Sequence, residues 1–141
     1  MATRADFTDG EWAALQKGLT GSALLVSLSD RDLSDTFGEV GALAKYLQGQ
    51  QVAGSSDLMR EIAKTHGTGF GFATPPDKMR GETVAAIGTS RAALAAKAPD
   101  EVDAYRALVL GAANAVAEAK GGVTPVETSM LEEITKALDG A

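Results

Sequence analysis

The feature that most constrains what this chain can fold into is a rhythm of apolar residues near its C-terminal third. Val102, Tyr105, Val109, Ala112 and Val116 recur at steps of three and four, lining one face of an α-helix and failing the strict alternation of a half-buried strand. Composition points the same way. Hydrophobic residues make up 45% of the 141, but aromatic residues only 5%, and much of the apolar share is alanine, the strongest helix former. Strand-favouring side chains are thinly spread, and a core rich in alanine requires helices that approach closely. These observations define the expected fold class as all-α: one domain over residues 1–141, built as a bundle of about six helices.

The helices can be placed from their caps and periods. Thr8-Asp9-Gly10-Glu11 has capping-box spacing, and Trp12, Leu15 and Leu19 share the face that follows. The spacing predicts a first helix from about Asp9 to Ser29, with Gly18 and Gly21 weakening its middle and a bend or break near Gly21 left open. Phe37, Val40, Leu43 and Leu47 predict a second helix ending near Gly49, and Ser55 or Ser56 caps a short third helix carrying Leu58, Met59 and Ile62. Pro76 or Asp77 opens a fourth, with Val84, Ile87 and Leu94 inward, and Asp100 is expected to cap the fifth. The fifth stops at Gly121-Gly122. Thr124-Pro125-Val126-Glu127 opens a sixth, with Met130, Leu131, Ile134 and Leu138 completing its apolar face. Val40, Leu43 and Leu47 match Leu131, Ile134 and Leu138 in spacing, so two pseudo-repeated helix-turn-helix halves are one reading of this order. Chance recurrence of helix pairs is the other.

Charge and missing residue types exclude several function classes. Acidic residues outnumber basic ones 19 to 13, for a formal net charge of −6, and no basic cluster interrupts that balance. Binding to phosphate backbones rests on lysine and arginine, so no nucleic-acid role is expected. With no cysteine in the chain, disulfides, thiolate zinc sites and cysteine nucleophiles are ruled out. No stretch is apolar for long enough to span a membrane, and Met1-Ala2-Thr3-Arg4 does not open a signal peptide, so a cytoplasmic location is the expectation.

Three segments invite a chemical reading. His66, the one histidine, stands before the glycine-rich stretch Gly67-Thr68-Gly69-Phe70-Gly71, where an imidazole serves as a base, a ligand or a helix-end cation. That stretch is no phosphate loop: Thr74-Pro75-Pro76 stands where the lysine and hydroxyl of such a loop belong. Asp30, Asp32, Asp35 and Glu39 form the densest acidic cluster. Hard divalent cations take several oxygen ligands, but an EF-hand loop starting at Asp30 would need glycine at Asp35 and glutamate at Gly41. The same acids also suit a helix N-terminus, where the dipole favours negative charge. Asn114 sits among alanines and valines of the fifth helix, able to bond across to a neighbour or to face a groove.

The stretch AVAEAKGGVTPVETSMLEEITKAL, Ala115 to Leu138, resembles the second half of the TerB-like (tellurite-resistance) helical domain. Gly121, Val123, Thr124-Pro125, Glu127, Leu131 and Ile134 follow that family's order of helix, turn, cap and apolar-periodic helix. Arg80-Gly81-Glu82-Thr83 and the helix after Pro99 extend the likeness to residues 78–138, and Leu24 to Leu47 matches loosely. The resemblance implies an acidic, cation-binding module connected with stress or envelope processes, and of its motif carboxylates this chain keeps Asp30 and Glu127; with Asp32 and Asp35 of the acidic cluster these make the candidate metal ligands. The chain departs from the pattern at Lys120, Arg31 and Phe37, which replace an aspartate, a glycine and a glutamate. A lysine ammonium has donors and no acceptor, so it cannot stand in for a carboxylate ligand.

The functional expectation is therefore a non-catalytic binding or scaffold module, with no cofactor or a weakly bound divalent cation, facing a protein partner or another copy of itself. A small enzyme using His66 with nearby carboxylates is one alternative. A self-associating structural protein, packed through Gly88, Gly111, Ala112 and Ala113, is the other.

Overall fold

The computed structural model describes residues 3–29, 36–54, 56–64, 76–118 and 125–140, without the side chains of residues 27–29, 36–40, 76 and 125–127. Within them lie six α-helices: α1 (Asp9–Ser29), α2 (Thr36–Ala53), α3 (Asp57–Ile62), α4 (Pro76–Lys97), α5 (Val102–Glu118) and α6 (Pro125–Asp139), with 3-10 turns at Arg4–Asp6 and Pro99–Glu101. The chain is an all-α helical bundle, as its periodicity predicts. No described helix is long and apolar enough to cross a membrane.

Most helix ends sit where their caps place them. The Glu11 N–H donates to the Thr8 hydroxyl at 3.1 Å, and the Thr8 N–H donates to the Glu11 carboxylate at 2.9 Å, which is the reciprocal box read from the sequence. Between the two candidates for α3 it is Ser56 that caps, accepting from the Met59 N–H at 3.2 Å.

The helix α1 spans Asp9–Ser29 as predicted and runs unbroken through Gly21. Two boundaries differ from expectation. The second helix continues past Gly49 to Ala53, because an exposed helical glycine costs only about 1 kcal/mol against alanine and does not stop a helix by itself. Gly54 marks the stop: its carbonyl accepts from the Arg60 guanidinium at 2.8 Å, turning the chain into α3. Asp100 does not cap α5. It lies inside the 3-10 turn, which Ala98 precedes without a side-chain cap. Gly140 takes a φ of +79° just past α6, the left-handed position where a glycine commonly ends a helix.

The core is centred on α1. From Gly18 to Val26 every residue but Leu24 is buried, so this helix is surrounded rather than laid on a surface. It packs chiefly against α4 and α5; α2 crosses to α5 and α6 crosses to α1. Leu47, Ile134 and Leu138 belong to the one hydrophobic cluster, and Leu43 and Leu131 pack against it. Val40, the first residue of the matched spacing, has its side chain outside the described residues. Within α5, Tyr105, Val109, Ala112 and Val116 are buried as predicted, with Val102 half-buried at the start. Val84, expected inward on α4, is half-buried too; Met79, Thr83, Ala86, Ile87, Ser90, Ala93 and Leu94 form the buried face.

Both tyrosines lock helix to helix in the same way. The Tyr105 hydroxyl of α5 donates to the Leu15 carbonyl of α1 at 2.7 Å, and the Tyr46 hydroxyl of α2 donates to the Leu108 carbonyl of α5 at 3.2 Å. In each case a glycine stands three residues beyond the accepting leucine, Gly18 or Gly111, and the tyrosine tip occupies the space where its β-carbon would be. Burial raises the pKa of both phenols, partly countered at Tyr105 by Ser90, so both stay protonated donors. Gly111 thus serves packing within the fold, whereas Gly88 is exposed and meets nothing within 4 Å.

Buried hydroxyls on the core helices mostly bond backwards along their own helix: Thr20 to the Gln16 carbonyl, Ser22 to Gly18 and Ser90 to Ala86. Thr83 is the exception, fully buried on α4 with a hydroxyl that has no hydrogen-bond partner. An unsatisfied buried polar group costs about 1–3 kcal/mol. Thr83→Val, which exchanges that hydroxyl for a methyl of similar shape, is expected to stabilise the protein by about 1 kcal/mol in urea denaturation; a loss of stability would show that the hydroxyl is satisfied.

The N-terminal segment is clasped to the end of α4. Phe7 and Trp12 are buried with ring centroids 6.2 Å apart; Arg4 lies over the Trp12 ring and Lys97 over Phe7. Lys97 also pairs with Glu11. That ammonium first, and the Thr8 N–H second, hold the Glu11 carboxyl below its ordinary value of 4.5. The folded state therefore binds this proton less readily than the unfolded chain. Its stabilising contribution is whole above pH 4.5 and is lost as pH falls through the lower folded value. A Lys97→Met variant is expected to melt below the parent at neutral pH, with the gap narrowing in acid; a gap that stays constant down to pH 3 would remove the pair as its cause.

Candidate functional site

The side chains singled out for cation binding all lie outside the described residues. Asp30, Asp32 and Asp35 lie outside the described residues, as do His66, the stretch Gly67 to Gly71, and Lys120. Glu127 belongs to the first turn of α6, and Glu39 and Phe37 belong to α2, but the side chains of all three are outside the description as well. Among the described residues no group of three or more histidine, aspartate or glutamate side chains could hold a metal ion. Asn114 neither crosses to a neighbouring helix nor faces the core. It is exposed, and its amide donates to the Leu110 carbonyl of its own helix at 2.9 Å.

Among the described residues a candidate surface lies on α6. A shallow, wide-open groove of about 350 Å³ adjoins it, lined by Thr128, Leu131, Glu132, Thr135 and Lys136. These positions are spaced i, i+3, i+4, i+7 and i+8, one stripe of a single helix. They adjoin the face that Ile134 and Leu138 bury, so Leu131 lies on the border, half-buried rather than fully inward. The Thr135 hydroxyl donates to the Leu131 carbonyl one turn back on the same helix at 2.7 Å.

Two arginines from other helices fix this stripe in place. Arg80 of α4 reaches Glu133 at 2.7 Å, and Arg106 of α5 reaches Asp139 at 2.8 Å. Both pairs are partly exposed, where such contacts contribute about 0–1 kcal/mol each. They brace α6 from either side, while burial of Ile134 and Leu138 holds it on the bundle. Reading the sequence identified Met130, Leu131, Ile134 and Leu138 but passed over Thr128, Glu132, Thr135 and Lys136. The signal was present in the spacing, since these four flank Leu131 on the side away from Ile134.

No protein-family model, no curated protein and no solved structure matches the chain.

Proposed function

We propose that this chain is a non-catalytic helical binding module, TerB-like in kind, that holds a segment of a protein partner against the outer side of α6. The open groove lined by Thr128, Leu131, Glu132, Thr135 and Lys136 is the observation that supports it. Leu131 offers partly exposed apolar surface, and two threonines with charges of both signs lie to one side of it. Apolar surface bordered by polar side chains is a usual element of a protein interface. The resemblance adds the stress or envelope setting, and in its cation-holding form the module carries a divalent ion on Asp30, Asp32, Asp35 and Glu127.

Site-specific photo-cross-linking tests the reading. A benzophenone side chain at exposed Lys136 is expected to trap a discrete protein in the native host, whereas one at exposed Lys45 on α2 traps none. Purified and mixed, that protein should bind the parent chain and lose affinity about tenfold or more for Glu132→Lys combined with Lys136→Glu. An adduct of twice the chain's own mass identifies the partner as a second copy. Equal trapping at both positions, or unchanged binding by the folded variant, overturns the proposal. Calorimetric titration with Ca²⁺, Mg²⁺ and Zn²⁺ addresses the cation-holding form, which fails if millimolar metal gives neither heat nor a thermal shift.

A further inference from the structure

No further inference is drawn: the strongest candidate, the stripe of exposed small residues Gly81, Ala85, Gly88, Ala92 and Ala96 along the outer face of α4, is an unpartnered helix face, and nothing in the structure shows what covers it.

Discussion

Gly18→Ala is expected to destabilise the protein by about 2 kcal/mol, although alanine is the better helix former by about 1 kcal/mol. A β-carbon at this position would sit 2.5 Å from the Tyr105 hydroxyl, 3.3 Å from Ile87 Cγ1 and 3.7 Å from Ile87 Cα. None of these neighbours can yield cheaply. Ile87 is fully buried, and Tyr105 is buried with its hydroxyl committed to the Leu15 carbonyl. Overpacking of a dense core costs about 1–3 kcal/mol, and displacing the phenol forfeits a hydrogen bond worth about 1 kcal/mol more. The same substitution at Gly88, exposed with nothing within 4 Å of its β-position, should instead stabilise by about 0.5–1 kcal/mol. Urea denaturation of the two variants should therefore give opposite signs at unchanged m-value. Tyr105→Phe serves as the internal check. It removes the atom that the new methyl meets, so Gly18→Ala should cost less in that background, with a coupling of about 1 kcal/mol. A loss in the Gly18 variant that persists undiminished without the hydroxyl would place the strain elsewhere.

The contrast between these glycines shows which part of the fold is readable in the chain and which is not. Helix positions follow from local chemistry: the Thr8–Glu11 box, the Ser56 cap and Pro125 at the first position of α6 each act within four residues. Tertiary roles do not. Gly18, Gly21, Gly88 and Gly111 are alike as letters, and only the approach of Tyr105 and Tyr46 separates the packing glycines from the exposed one. The burial of α1 on nearly all sides had a visible sign, since no charged residue occurs between Gly18 and Ser29. Its serine and threonine content obscured that sign, because Thr20 and Ser22 look like surface residues until their hydroxyls are seen bonded to their own helix. Asp100 misled for the opposite reason. An acid after Pro99 suits a helix cap, yet the chain enters α5 through a 3-10 turn that supplies its own backbone bonds, including Glu101 N–H to the Ala98 carbonyl at 2.8 Å.

The candidate site was less legible than the fold. Acidic clusters and histidines draw attention because their chemistry is distinctive, but those of this chain lie in segments 30–35 and 65–75, outside the described residues. The α6 groove is made from ordinary letters, two threonines, a leucine, a glutamate and a lysine. Such residues acquire a role only through their rotation relative to the core. The apolar spacing of Leu131, Ile134 and Leu138 sets that rotation, whereas the arginines that pair with Glu133 and Asp139 lie 53 and 33 residues away in the chain. Local periodicity carries no information about partners so distant.

Ile134→Ala should cost about 3 kcal/mol and lower the melting temperature by about 10 °C, whereas Leu131→Ala, three residues earlier on the same helix, should cost no more than about 1 kcal/mol. Ile134 is 1% exposed and belongs to the common core, so its truncation removes buried methylenes and leaves a cavity that only partly collapses. Leu131 is half-buried at the edge of the groove, where solvent can fill the space its side chain leaves. The difference has consequences for how α6 opens. Its outer contacts are two partly exposed ion pairs, so Ile134 and Leu138 supply most of what keeps it on α1. Amide hydrogen exchange in the Ile134 variant should therefore accelerate throughout α6 before it does so in α5, whose Tyr105, Val109, Ala112 and Val116 remain packed. Uniform acceleration across α5 and α6 would mean that the two helices open as one unit. A folded Leu131 variant with its core intact is then the means of separating the surface of α6 from its anchor: if the groove binds a partner, this truncation should weaken that binding while the melting curve stays near the parent's.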